Sequence, residues 1–462
     1  MKIGGNGELR CLTASTSGHS WSLEAFERGL SWRPHVISAQ GTTIDAGPHN
    51  LGSTDPFSHM GRINLKRSVK AIVTAGERLG IPVVFSGGGS GSDIGLSGIL
   101  ELLDEVAREQ GVRFRFAVIS GEPSREYLLG KMRAGAKVRR LVPVPQLEEV
   151  LSEETLIEAV RVVAQMGPEP IMTALQEDVD GVVTGRSVDE AVHMAAPLKW
   201  GVPKGVAAHM AKIVETNAIS AGSYPDPMFV VFRGDEFTIK ATNPRMRVSV
   251  TSVIANTFYE RPDPFYQKLP GGTLDLSRAS YEQVDHETVR VWGGQWIDEP
   301  YTVKLEGISA NGYRSLSIVG IREPAMIAQL NSILSDVRNG YIKAVYKDHR
   351  LGEDYDLFFK VYGRDGVMGH QEPEPTAGHE VAVAVDAVAK TQSLATAVCK
   401  NAVHKLLFAD YIGRKTTAGN VASCFSPDCF DLGQVYRFTI HHLLELEDPS
   451  EPFLARLMEF PA

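Results

Sequence analysis

The stretch VVFSGGGSGSD, residues 83–93, constrains this chain more than any other. Val83, Val84 and Phe85 are β-branched or aromatic, the composition of a buried strand. Gly87, Gly88, Gly89 and Gly91 follow at once, interleaved with Ser90 and Ser92. Beyond them Leu96, Ile99, Leu100, Leu103 and Val106 recur at helical spacing. A strand that turns through glycines into a helix opens a βαβ unit. Residues without Cβ let backbone N–H groups meet a ligand closely, and the helix N-terminus beyond them favours an anion. A tight strand-to-helix turn with no ligand has the same signature. The spacing is neither G-x-G-x-x-G nor a loop ending in G-K-[ST], so no nicotinamide or nucleoside triphosphate is indicated.

The same alternation continues on either side. Residues 35–38, 83–86, 114–120 and 180–185 read as strands, and 64–79, 95–110, 153–163, 169–176 and 187–196 as helices. Such alternation predicts an α/β fold, with a doubly wound, largely parallel sheet in the first half. Polar residues gather after these strands. They are Gln40, Thr42, Thr43, Asp45, His49 and Asn50, then Ser90, Ser92 and Asp93, then Glu122, then Thr184, Arg186, Ser187 and Asp189. Ligands of open α/β sheets bind outside the carboxyl ends of the strands, so these turns are expected to share one rim.

After about residue 200 the pattern changes. A helix over 205–219 carries His209, Lys212 and Glu215, which read more readily as a solvated polar stripe than as a site. Residues 229–242 predict a hairpin turning at Gly234 and Asp235. Residues 301–305 and 314–321 predict two strands, and 324–337 a helix closed by Gly340. Lys304 and Glu306 share a strand face, and a structural ion pair between them is the favoured reading. Strands over 356–362, 380–389 and 434–446, with a helix over 393–408, predict a C-terminal ferredoxin-like unit. The expected division is 1–200, 201–346 and 347–462.

Composition narrows the function classes. The chain has 462 residues, a net charge of −9, and no long basic run, so no nucleic-acid partner is expected. Its four cysteines form no C-x-x-C arms, and no apolar window is long enough for a membrane span. A cytoplasmic protein is expected, with no membrane partner. H-E-x-x-H is absent, and GGSGS is only a near match to the nucleophile elbow. Candidate acid/base groups are Asp45, His49, Asp93, Glu122 and Asp189, each following a strand. One of Asp45 or Asp93 is expected to move a proton. Candidate anion-binding residues are Gly87, Gly88, Gly89, Ser90, Gly91, Ser92 and Arg186, whose planar fork suits a carboxylate. No cofactor is required by this chemistry; a divalent metal held by His49, His59 and Asp93 is the alternative. Arg364 and Asp365, in YGRDG, are read as shaping a turn.

The motifs DAGPHNLGS (45–53), SGGGSGSD (86–93), VAQMGPEP (163–170), TGRSVDEA (184–191), HMAKIVE (209–215), NPRMRV (243–248), GGTLDLS (271–277), YTVKLEG (301–307) and VYGRDGVMG (361–369) occur in one order along nearly the whole chain. Together they resemble the AtuA-like family, named for acyclic terpene utilisation. The resemblance implies catabolism of small organic acids or acyl-thioesters, and a small ferredoxin-fold companion, fused or separate. Where many relatives have G-P-Y-Y-L-G this chain has GPHNLGS, so His49 and Asn50 replace two aromatic positions. The expected activity is proton transfer on a small carboxylate or acyl-thioester, as in a hydratase, lyase or isomerase. A non-catalytic acyl-binding subunit of a hetero-complex and a metal-assisted hydrolase are the alternatives. Exposed strand edges predict a homo-oligomer or a complex with a companion subunit.

Overall fold

A computed structural model describes residues 7–17, 21–59, 61–216 and 226–461. The fold is mixed α/β, built on large sheets. The chain divides into two compact units, Met1–Ser309 with Phe438–Ala462, and Ala310–Arg437. Residue 200 therefore lies within the first unit and residue 346 within the second.

The first unit is organised by a 10-stranded sheet. Its middle strands are Glu8–Ser15, Val36–Gln40, Val83–Ser86, Gly181–Thr184 and Phe114–Ile119, in that spatial order and all parallel. Antiparallel strands flank them: Met228–Arg233 beside Glu8–Ser15 and Ala455–Phe460 beside Phe114–Ile119. Side chains of the middle strands alternate between two cores. Val36, Val84, Ala117 and Val182 join one, while Ile37, Val83, Phe85, Phe116 and Val183 join the other. Helices Leu23–Ser31, Arg62–Leu79 and Asp93–Gln110 supply Phe26, Ile72 and Leu103 to the second core. Helices Ala191–Lys199 and Lys204–Val214 supply Ala195 and Ala211 to the first. Full burial of a side chain such as Phe85 contributes about 1.5–3 kcal/mol, which is why strand runs without polar residues end up mid-sheet.

Helix Asp93–Gln110 shows how local sequence sets the frame. Ser92 caps it, accepting from the Gly95 N–H at 3.2 Å, and Gly111 ends it in the left-handed region at φ 65°.

Several segments depart from the sequence reading. Residues 153–163 are not one helix: helix Glu153–Glu158 gives way to strand Arg161–Ala164, which pairs antiparallel with Leu305–Ile308. Residues 301–305 and 314–321 are not separate strands but one, Thr302–Ile321, running from the first unit into the second. Residues 324–337 break into Pro324–Ala328 and Leu330–Ser335, followed by a π-helical turn, Asp336–Ile342, so Gly340 lies inside a helix rather than closing one. The helix expected over 205–219 is observed as Lys204–Val214; residues 217–219 lie outside the described residues.

In the second unit the elements after Ala310 are strand, helical segment, strand Tyr355–Tyr362, strand Val381–Ala389, helix Gln392–Leu407 and strand Phe430–Glu445, which returns to the first unit. Tyr355–Tyr362 pairs with Val381–Ala389, which pairs with Tyr313–Ile321, both antiparallel. Among the described residues no helix is long and apolar enough to cross a membrane.

Candidate active site

The strand order places four carboxyl ends side by side, and backbone hydrogen bonds stitch their loops together. Thr43 N–H donates to Gly89 O at 2.8 Å, Gly87 N–H to Thr184 O at 3.0 Å, Gly185 N–H to Ile119 O at 2.8 Å and Arg186 N–H to Gly91 O at 2.9 Å. Glycine makes this approach sterically accessible. A Cβ on Gly91, where φ is +71°, would lie 2.3 Å from the Arg186 nitrogen. One on Gly95 would lie 2.0 Å from the Gly88 oxygen. These glycines therefore join protein backbone to protein backbone, and that alone accounts for their presence.

The exposed rim holds Asp45, His49 and Asp93. Asp45 accepts from Thr43 Oγ1 at 2.7 Å, a contact within its own turn. His49 lies on the short helix Pro48–Gly52, and its neighbour Asn50 contacts the His59 ring at 2.9 Å. Asp93 accepts from Ser120 Oγ, while its N–H donates to Glu122 Oε1 at 2.7 Å. Glu122 also pairs with Arg161 Nε at 3.2 Å. Burial raises the Glu122 carboxyl, against the Asp93 N–H and Arg161, which lower it. The N-terminus of helix Asp93–Gln110 is thus already faced by the protein's own carboxylates. Ser90 is buried and donates to Asn50 O at 3.2 Å.

Beneath the rim sits a buried ion pair. Arg186 Nε donates to Glu306 Oε2 at 2.7 Å and its Nη2 to Oε1 at 3.3 Å; the two side chains are 5% and 1% exposed. Gln165 fills a further site on Glu306. Arg186 Nη1 donates to the carbonyls of Thr42 and Ser187, at 2.9 and 3.2 Å. Burial opposes the guanidinium's charge, but Glu306 and Asp189 outweigh it and hold Arg186 protonated. Glu306 pairs with Arg186, which follows a strand distant in sequence, rather than with Lys304 as expected.

Asp189 is the polar group of this layer that reaches solvent, with a side chain 37% exposed. Its Oδ1 accepts from Gln40 Nε2 at 3.0 Å and lies 3.5 Å from Arg186 Nη1. Burial pushes its carboxyl up to about 6, in spite of the Arg186 charge beside it. The buried hydroxyls of Thr42, Thr184 and Ser187 have no hydrogen-bond partner among the described residues. Unmet polar capacity of this kind costs about 1–3 kcal/mol per group and is concentrated where a ligand or water completes a site.

The stripe on helix Lys204–Val214 is not solvated. His209, Lys212 and Glu215 are 0%, 4% and 7% exposed, and Lys212 Nζ lies 2.5 Å from Glu215. Burial works against the Lys212 ammonium, but Glu215, Glu190 and Asp189 hold it charged. Burial and then Glu190 disfavour the Glu215 carboxylate, and the Lys212 ammonium opposes them. Glu190 in turn accepts from Gln267. The signal available in GVAAHMAKIV is that His209 and Lys212 are its only polar side chains, the remaining faces being apolar as in a helix packed on most sides. Glu190, Gln165 and Gln267 carried no such signal, being single polar residues placed by contacts distant in sequence.

Asp45, Asp93, Glu122, Asp189, Arg186 and the glycine loop thus sit on the joined loops at one end of the sheet, with Arg186 buried and Asp45, His49 and Asp93 exposed. Among the described residues no group of three or more His, Cys, Asp or Glu is placed to hold a metal ion.

A family model described as Acyclic terpene utilisation family protein AtuA matches residues 62–201 and 227–426. No curated protein and no solved structure matches.

Proposed function

Because the chain belongs to the acyclic terpene utilisation family, we propose that it is a catabolic enzyme that moves a proton beside the carbonyl of a small carboxylate or acyl-thioester. Hydratase, lyase and isomerase reactions share that step. The observation that carries this reading is Asp189. It is half-buried, fixed by Gln40 and Arg186, open to solvent on one side, and ionises at about 6. A general base works best when its pKa lies near the working pH. Asp189 therefore takes the proton-moving role ahead of Asp45 and Asp93, which stand exposed on the rim. Arg186 acts as a positioning residue: Glu306 and two carbonyls occupy its fork, so it fixes Asp189 and the loops.

Incubation in D2O with short-chain acyl-thioesters and their free acids, followed by mass spectrometry, tests this. Deuterium should enter at the carbon next to the carbonyl, or water should add across a conjugated double bond. A panel of such compounds returned unchanged would reject the reading.

We read the parallel core, with helices feeding both of its hydrophobic clusters, as doubly wound. The order strand, helix, strand, strand, helix, strand in the second unit supports a ferredoxin-like assignment. The cytoplasm is the proposed location, in keeping with free cysteines at 11, 399, 424 and 429. We also propose a homo-oligomer or a companion subunit. Leu141, Val142, Val144 and Leu147 lie within one short segment and are 37–59% exposed, and an apolar run of that kind favours coverage. Light scattering at micromolar concentration should give a mass above that of one chain; a strictly monomeric, partner-free protein counts against it.

A further inference from the structure

The motif VYGRDGVMG has no part in the site above. As expected, it forms a turn: the N–H groups of Arg364, Asp365 and Gly366 all donate to Val361 O, at 3.3, 3.1 and 2.8 Å. The turn meets the backbone's needs and leaves the Arg364 side chain for other work. That side chain is 13% exposed and lines a groove of about 720 Å³ within the second unit. The groove lies between the helical segment that bears Arg338, the strand Tyr355–Tyr362 and the turn itself.

Its lining is unbalanced in charge. Arg338, Lys360 and Arg364 contribute cations, and Asp365 is the one carboxylate among the lining residues. The existing pairings are partial. Arg364 Nη2 meets Asp365 at 3.0 Å, and Arg338 Nη2 stands 3.7 Å from Asp356. The Nε–H groups of both arginines are buried without a hydrogen-bond partner among the described residues. A buried guanidinium N–H without an acceptor is costly, so both side chains carry unmet polar capacity beside the groove. The rest of the wall is mixed: Asn331, Ser335, Asn339 and His370 are polar, while Phe358, Val367 and Met368 are apolar and 45%, 86% and 51% exposed. The volume suits an organic ligand rather than a bare ion, since small-molecule sites run to about 300–1,000 Å³.

We propose that this groove binds an organic phosphate, with the phosphate held by Arg338, Lys360 and Arg364 and its apolar body resting on Phe358, Val367 and Met368. A single carboxylate would satisfy one arginine fork. A dianionic phosphate has the charge and the oxygen count for cations arriving from helix, strand and turn. The inference is independent of the role given to Asp189.

Calorimetric titration of the full chain tests it, using octyl phosphate, adenosine 5′-monophosphate, inorganic phosphate, octanoate and octanol. At least one organic phosphate should bind saturably and at least about tenfold more tightly than inorganic phosphate. Octyl phosphate binding would identify an alkyl body, and the adenosine compound a nucleotide. Lys360→Glu, on an exposed strand position that folding should tolerate, should weaken binding about tenfold or more, in line with loss of a charge-assisted hydrogen bond. Arg364→Lys should do the same, because an ammonium cannot reproduce the fork. The proposal is overturned if neither organic phosphate binds, if octanoate or octanol binds as tightly as octyl phosphate, or if both substitutions leave the affinity unchanged.

Discussion

Replacement of Asp189 by Asn should lower turnover by ~100- to 10,000-fold, the usual loss when a general base is removed, with far less effect on substrate binding. Asn keeps an oxygen for Gln40 and Arg186, so the loop should hold its shape. The pH profile distinguishes a base from a spectator. Asp189 must be ionised to accept a proton, so wild-type turnover should rise with pH through about 6. That limb should be missing from the residual activity of the variant. Stability should move in the opposite sense. The carboxyl ionises higher in the folded protein than in the unfolded chain, which favours folding below about pH 4 and ceases to do so as the pH rises through about 6. Asn has nothing to ionise, so the variant should gain thermal stability over wild type between pH 4 and pH 8. An unchanged turnover, or a pH limb that survives the substitution, would remove Asp189 from the mechanism.

Glu306→Gln should destabilise the protein by about 3–5 kcal/mol, because it takes from the buried Arg186 guanidinium its fully buried counter-charge and leaves only the half-exposed Asp189. The paired replacement of Arg186 by Met and Glu306 by Leu should be milder than the single change, since neither charge is then stranded. Urea denaturation of wild type, Arg186→Met, Glu306→Leu and the variant carrying both gives the coupling directly. A Glu306→Gln protein within about 0.5 kcal/mol of wild type, the range of ordinary surface substitutions, would mean that the pair does not hold the loops.

Local sequence carried the middle of the sheet well. Val83–Ser86 and Phe114–Ile119 are apolar runs bounded by turns, and helices Arg62–Leu79 and Asp93–Gln110 have a clear apolar face and glycine ends. Glu8–Ser15 is hard to read although it lies in the middle of the same sheet, because the alternation of polar and apolar residues in ELRCLTAS slips phase at Cys11–Leu12. Its place is set by Val36–Gln40 and Met228–Arg233, the latter more than two hundred residues away. Arg161–Ala164 escaped for the same reason, its partner being Leu305–Ile308. At the candidate site, the positions after strand ends were legible from the alternation alone. What each residue does there was not. Arg186 reads as a free clamp until Glu306 is seen against it, and Lys304 at i−2 gives Glu306 a misleading neighbour. The half-burial of Asp189 and the burial of Glu215, which shift both carboxyls, depend on packing between elements that share no local pattern.

The second unit is nested in the first, entered after Ser309 and left before Phe438. On a ribosome, residues 310–437 therefore emerge whole while the first unit still lacks its last strand. Ala455–Phe460 pairs along the full length of Phe114–Ile119, so that edge of the large sheet stays open until residues 455–460 have been made. An open parallel edge in a nascent chain is a template for mispairing. The first unit is thus begun before the second and closed after it.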